Sequence, residues 1–175
     1  FDRPYPGVFV LAGAAGDPAT GHEVAVRAAL AALGPAAVAS HRSAAWLFGL
    51  TDRPPAAVQV TVPGGFSRRL PGAEIHRSTT PVRTRSARGV RCVDVPRTLV
   101  DLASDMTAGE LDDALDRSLS RGLTRLGDLE SELRDTTRQG SAALRRRLGD
   151  LGYFGSPEPS VLERKMGRGL ARHGL

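Results

Sequence analysis

One cysteine and one lysine are all that the 175 residues contain of either type, and asparagine is missing altogether. The lone thiol, Cys92, excludes an intrachain disulfide, and its place in the apolar stretch Val90 to Val95 marks it as a small buried hydrophobe. Aromatic residues make up 5% of the chain, with a single tryptophan, Trp46, which is expected to sit in the core. No apolar run approaches the ~18 residues of a membrane span, and no signal-peptide pattern opens the chain. No membrane partner is therefore expected, and the cytoplasm is the expected compartment. Catalytic signatures are missing too. His22, His41, His76 and His173 lack metal-ligand spacing, there is no Gly-x-Ser-x-Gly elbow, and no phosphate loop ends in Gly-Lys-Ser or Gly-Lys-Thr. The segment alone reads as a non-enzyme that holds no metal and no cofactor.

Alanine, glycine, arginine and proline are abundant instead, as a GC-rich genome would write a soluble chain of one ordinary domain or two small ones. The net charge of +5 is unevenly placed. Residues 1–60 balance, 61–100 carry eight arginines against two acids, 101–135 carry ten acids against four arginines, and 136–175 carry eight cations against three acids. Such basic blocks suit phosphate, because clustered cations gain affinity by releasing counterions. The chain opens at Phe1 rather than Met, and it is expected to be a fragment of a longer product.

Local patterns outline the elements. Tyr5 to Leu11 reads as a turn entering a short strand with no partner immediately upstream, and Thr20 to Leu33 as a helix capped by Thr20 with Glu23 at the capping-box position. A second helix is capped by Ser40, with Ala44, Leu47 and Phe48 on one face and Gly49 placed to close it. Val58 to Val62 alternates as a half-buried strand, Pro63 to Gly72 reads as a hairpin tip carrying Arg68 and Arg69, and Ala73 to Ser78 returns. The order helix, helix, strand, strand suits either a winged helix or a plain α+β core. Thr79 to Arg91 is polar and holds Arg83, Arg85, Arg88 and Arg91, and Val90 to Val93 reads as a third strand. Asp94 caps a helix running from Val95 to Ser104, with Pro96 in its first turn and Arg97 and Asp101 spaced to pair. Further helices are expected over Thr107 to Ser120, Thr124 to Leu133, from a cap at Ser141 onward, and, after a linker from Gly149 to Pro159, over Val161 to His173. The carboxylates Glu110, Asp112, Asp113 and Asp116 are expected to face water. The expected class is α+β: helices packed on a small antiparallel sheet, followed by a helical segment.

Three stretches resemble a known family. Pro6 to Leu11, Ser40-His41-Arg42-Ser43-Ala44-Ala45 with Phe48-Gly49-Leu50, and Val95-Pro96-Arg97-Thr98-Leu99-Val100-Asp101-Leu102-Ala103 are similar to AbiEi-type antitoxin-like proteins of actinobacteria. The resemblance implies that residues 1–13 end a winged helix whose recognition helix lies upstream. It implies that residues 21–150 are the α+β antitoxin-like domain, with Ser40, His41, Arg42, Arg97 and Asp101 as its motif, and that 151–159 is a linker. Ser160-Val161-Leu162-Glu163, with Leu170 and His173-Gly174-Leu175, is similar to the first helix of a restriction-endonuclease-like domain related to very-short-patch-repair nucleases. This resemblance implies that 160–175 begins such a domain, with Glu163 near a catalytic centre that would use Mg2+ in the longer protein.

Together these readings give a DNA-associated regulatory, antitoxin-like module linking a winged helix to a nuclease-like domain. Double-stranded DNA is its expected partner, through Arg68, Arg69, Arg83, Arg85, Arg88 and Arg91. The alternatives are the targeting part of a metal-dependent endonuclease and a scaffold whose acidic helix at 107–120 binds a toxin-like protein.

Overall fold

The computed structural model describes residues 1–153. The helix expected over Val161 to His173, Glu163 and most of the linker lie outside the described residues. Two strands open the chain, β1 (Asp2–Tyr5) and β2 (Val8–Val10), and they pair antiparallel through Tyr5↔Val8 and Asp2↔Val10. The early strand therefore finds its partner inside the chain, in the residues before the turn at Gly7, which sits at φ +78°.

The first helix, α1 (Pro18–Leu33), starts earlier than its periodicity suggested. Asp17, not Thr20, is the cap, accepting from the amides of Ala19 and Thr20, while Pro18 takes a first-turn place where its missing N–H costs nothing. Glu23 makes no capping box and instead pairs with Arg27 one turn on. After β3 (Val38–Ala39) comes α2 (His41–Leu47), whose core-facing Ala44, Ala45, Trp46 and Leu47 are buried. Its end follows the sequence: Gly49 turns left-handed at φ +73°, and Arg121 donates to the free carbonyls of Phe48 and Gly49.

Four more strands, β4 (Val58–Pro63), β5 (Ala73–Ser78), β6 (Thr84–Ala87) and β7 (Val90–Val93), join β3 in a sheet of order β5-β4-β3-β7-β6. The fold is α+β, and the sheet is mixed rather than antiparallel. β4 and β5 run parallel, from Val58↔Ala73 to Pro63↔Ser78, so Pro63 to Gly72 is not a hairpin tip. Residues 64–72 instead carry the chain back along β4, a span of roughly 20 Å that nine extended residues can cover. Val58 to Val62 are buried on both faces, where alternation had suggested one wet face. β6 went unmarked in the sequence; it pairs with β7 through a two-residue turn in which Arg88 and Gly89 both take positive φ.

The helical half is organised around α3 (Val95–Leu102), every residue of which is buried. Asp94 caps it as expected, accepting from the Arg97 amide at 3.2 Å. Packed against it are α2 and three later helices: α4 (Ala108–Ser120), α5 (Leu126–Asp135) and α6 (Ser141–Asp150). Thr107 and Glu110 close a capping box on α4, whereas α6 is capped by Gly140 rather than Ser141. Not every acid of α4 faces water: Asp112 is gripped through two hydrogen bonds by Arg147 of α6.

Candidate functional site

Ser40-His41-Arg42 and Arg97…Asp101 are far apart in sequence and meet in the fold. His41 opens α2 at φ +50°, a left-handed conformation uncommon for a side-chain-bearing residue, which carries strain of order 1–3 kcal/mol. That twist leaves its ring stacked on His76 of β5, with centroids 3.5 Å apart and planes 15° from parallel. Ser40 does not cap the helix with its side chain; its hydroxyl lies 3.0 Å from His41 Nδ1. On the other side stands α3, where Arg97 Nε donates to Asp101 Oδ1 at 2.9 Å. The Asp101 Oδ2 lies 3.9 Å from His41 Nδ1, too far for a hydrogen bond. Asp101 Oδ2 and His76 Nε2 are both buried without a hydrogen-bond partner.

The pair at Arg97 and Asp101 is 7% and 5% exposed, so the few tenths of a kcal/mol of a surface i,i+4 pair do not apply. Gln59 of β4 extends the cluster: its Oε1 accepts from the Arg42 amide at 2.8 Å and its Nε2 donates to Glu74 at 2.6 Å. Arg42 itself donates to the Asp105 carbonyl. Neither His76 nor Gln59 stood out in the sequence, where each looked like the polar half of an alternating strand.

Burial sets the chemistry here. It brings the His41 imidazole down to about 4, against the opposing pull of Asp101, and it lowers His76 and His22 as well. The stack is neutral at pH 7 and offers no cation to a phosphate. Because these folded-state values lie below the ordinary 6.5, the unfolded chain binds more protons, and stability falls as pH drops from about 6.5 towards 4. His41 alone accounts for about 3 kcal/mol of that loss. Urea unfolding at pH 7 and pH 4.5 checks it against His41→Asn, a residue that tolerates the left-handed backbone. The variant should lose distinctly less stability on acidification; equal losses would remove His41 as the cause. The comparison matters because Asp94, whose carboxyl burial pushes up, titrates with the opposite sign.

The arginines singled out as nucleic-acid contacts do not form one free patch. Arg83 bridges Asp94 at 3.1 Å and Glu132 at 2.7 Å. Arg85 donates to the Leu123 carbonyl, while Arg91 donates to the carbonyls of Pro35 and Ala37 and Arg68 to that of Ala32, around the C-terminal end of α1. Arg88 lies 4.7 Å over the Trp46 ring, near Glu23, which settles Trp46 as a core residue with a cation on its rim. Arg69 has no partner among the described residues. With Arg68 and Arg77 it lines a groove beside edge strand β5 whose remaining walls are apolar, so the lining carries three positive charges and no carboxylate. Arg77 had not been singled out from the sequence; its place opposite Val62 in the β4–β5 register brings it there.

Cys92 is fully buried, its thiol pushed up to about 12 by desolvation, which makes it inert. Among the described residues no group of three His, Cys, Asp or Glu is placed to hold a metal ion, and no helix is long and apolar enough to cross a membrane. The chain matches no curated protein. Residues 31–151 match the family model of the AbiEi antitoxin C-terminal domain, a stretch that takes in the cluster of His41, His76, Arg97 and Asp101 and the groove of Arg68, Arg69 and Arg77.

Proposed function

The chain belongs to the AbiEi antitoxin C-terminal domain family, and from that premise we propose that it is an antitoxin-like module that contacts nucleic-acid phosphates through the Arg68, Arg69 and Arg77 groove. The groove carries this reading: three guanidiniums line one concave strip with no acid among them, whereas Arg83 already has two carboxylate partners. Arg85, Arg88 and Arg91 flank the opposite half of the sheet and add field rather than direct contacts. Double-stranded DNA is the partner of choice for a cationic groove of this kind, since phosphate contacts need no base edge.

In the longer protein, residues 1–13 would end a winged helix, and 151–159 would lead to a nuclease-like domain beginning at 160–175, with Glu163 and Mg2+ belonging to its chemistry. That layout rests on resemblance. The antitoxin-like role in the cytoplasm does not require it.

The test is a salt titration of duplex binding. Wild type should lose affinity linearly with log salt, with a slope near 0.9 per phosphate contacted. Replacing Arg68, Arg69 and Arg77 together by Ala should reduce the slope by two to three such contacts, roughly 2–3 in all. Replacing Arg83 and Arg85 should change it by less than one. Absence of binding at low salt would discard the DNA reading and leave a protein partner, such as a toxin, as the target of the antitoxin-like module.

A further inference from the structure

A second cationic cleft opens beside Arg97, at the start of α3. Its volume is about 230 Å3, below the ~300 Å3 at which pockets for drug-sized ligands begin, and Arg83, Arg97 and Arg138 line it together with Thr80 and Thr136. Two carboxylates share the lining, Asp94 and Glu132, and both are occupied. Arg83 spans them, and Asp94 additionally accepts from the Arg97 amide. The Arg97 guanidinium is fixed in place because its Nε is committed to Asp101.

Arg138 stands apart from Arg83, Arg117 and Arg147, which pair directly with acids. It is half-buried, its Nη2 donates to the Ser78 hydroxyl at 3.1 Å, and it forms no ion pair among the described residues. Desolvation and the neighbouring charge of Arg97 lower its pKa, outweighing the opposite pull of Asp101 and Glu132, whereas directly bonded carboxylates raise those of Arg83, Arg117 and Arg147. A guanidinium has five donors in a planar fork, and this one lines a small cleft together with the Arg97 guanidinium, with no directly paired carboxylate of its own among the described residues. Thr136 Oγ1 accepts from the Arg138 amide at 3.3 Å, which leaves its own proton free to donate.

We propose that the cleft binds a small tetrahedral oxyanion, either inorganic phosphate or a terminal phosphomonoester, held between Arg138 and Arg97 with the Thr136 hydroxyl as a further donor. The anion joins α3 to the loop at Thr80 and to the segment between α5 and α6, so occupancy stabilises the helical half. The site is separate from the Arg68, Arg69 and Arg77 groove and stands whether or not that groove binds DNA.

Thermal unfolding of the full chain is followed while sodium chloride is replaced by sodium phosphate at constant ionic strength, with wild type, Arg138→Gln, Arg138→Lys and Arg69→Ala. Phosphate raises Tm of many proteins by exclusion from their surfaces, so the difference between variants carries the result. Wild type and Arg69→Ala should gain more than Arg138→Gln, and the apparent affinity of Arg138→Lys should fall about tenfold because a lysine cannot bridge two oxygens. In wild-type NMR spectra the amides of Thr80, Thr136 and Arg138 should shift with phosphate; this readout stands even if Arg138→Gln does not fold. A 5′-phosphorylated dinucleotide that outcompetes inorganic phosphate, where its 5′-hydroxyl counterpart does not, would assign the site to nucleic-acid ends; the free ion acting alone would assign it to phosphate. An equal Tm gain in Arg138→Gln, or amide shifts confined to residues 68–70, overturns the proposal.

Discussion

Gly140→Ala should destabilise the protein by about 3–5 kcal/mol, the range reached when backbone strain and a hard steric clash coincide. Gly140 takes φ +93°, and a Cβ built there would lie 2.2 Å from the Val100 carbonyl oxygen and 3.1 Å from the Ser104 amide. Both are backbone atoms of the central helix region, so neither can swing aside as a side chain would. The close approach exists because α6 begins against the end of α3, where its Leu144 and Leu148 enter the core and its Arg147 reaches Asp112. Gly122→Ala is the matched control: φ is +62° and nothing lies within 4 Å, so only the conformational penalty of about 1 kcal/mol remains. Chemical denaturation of both variants reads the difference. If Gly140→Ala falls within about 1 kcal/mol of the control, α6 docks more loosely than these contacts require.

Breaking the buried pair at Arg97 and Asp101 should cost about 3–5 kcal/mol from either side, since each single change strands the other charge inside the protein. Asp101 has one oxygen unpartnered already, so removing Arg97 leaves a buried carboxylate with almost nothing to hold it. The double variant Arg97→Met with Asp101→Leu should regain a large part of the loss, because two apolar side chains of similar bulk remove the desolvation penalty along with the attraction. Denaturant unfolding of the four-member cycle measures the coupling. Additive single losses would mean that the two residues act independently; losses below about 1 kcal/mol would mean that water reaches the pair. The phosphate-dependent Tm gain should also vanish in the double variant, because Arg97 forms one wall of the cleft at Arg138.

Some helix ends were legible from signals within one turn. Asp94 followed by Val95-Pro96 gave the beginning of α3, and Gly49 the end of α2. Even so, local signals misled where two candidates competed. Thr20 looked like the cap of α1, but Asp17 before Pro18 takes that role three residues earlier, and Gly140 displaces Ser141 at α6 by supplying the positive φ that the close approach demands. The turn at Arg88-Gly89 escaped notice because arginine is not a usual residue for positive φ, so β6 had no visible punctuation.

Pairing and partnership were of another kind. Val58 to Val62 and Ala73 to Ser78 were recognisable as strands, yet nothing within either stretch says whether the second returns antiparallel or is carried back to start alongside the first. The arginines between residues 68 and 91 were correctly counted as charge, but a count cannot tell Arg83, spent on Asp94 and Glu132, from Arg69, which has no partner among the described residues.

By itself the sequence determined the α+β composition and the Asp94 cap of α3, because such signals depend on neighbours within about one helical turn. Only the tertiary structure decided that β5 lies parallel to β4 and that β3 sits at the centre of the sheet. It alone stacked His76 on His41 and set Arg138 beside Arg97. Those arrangements join residues about 35 to 40 positions apart, and it is the burial created by packing, not the residue types, that neutralises the histidine pair.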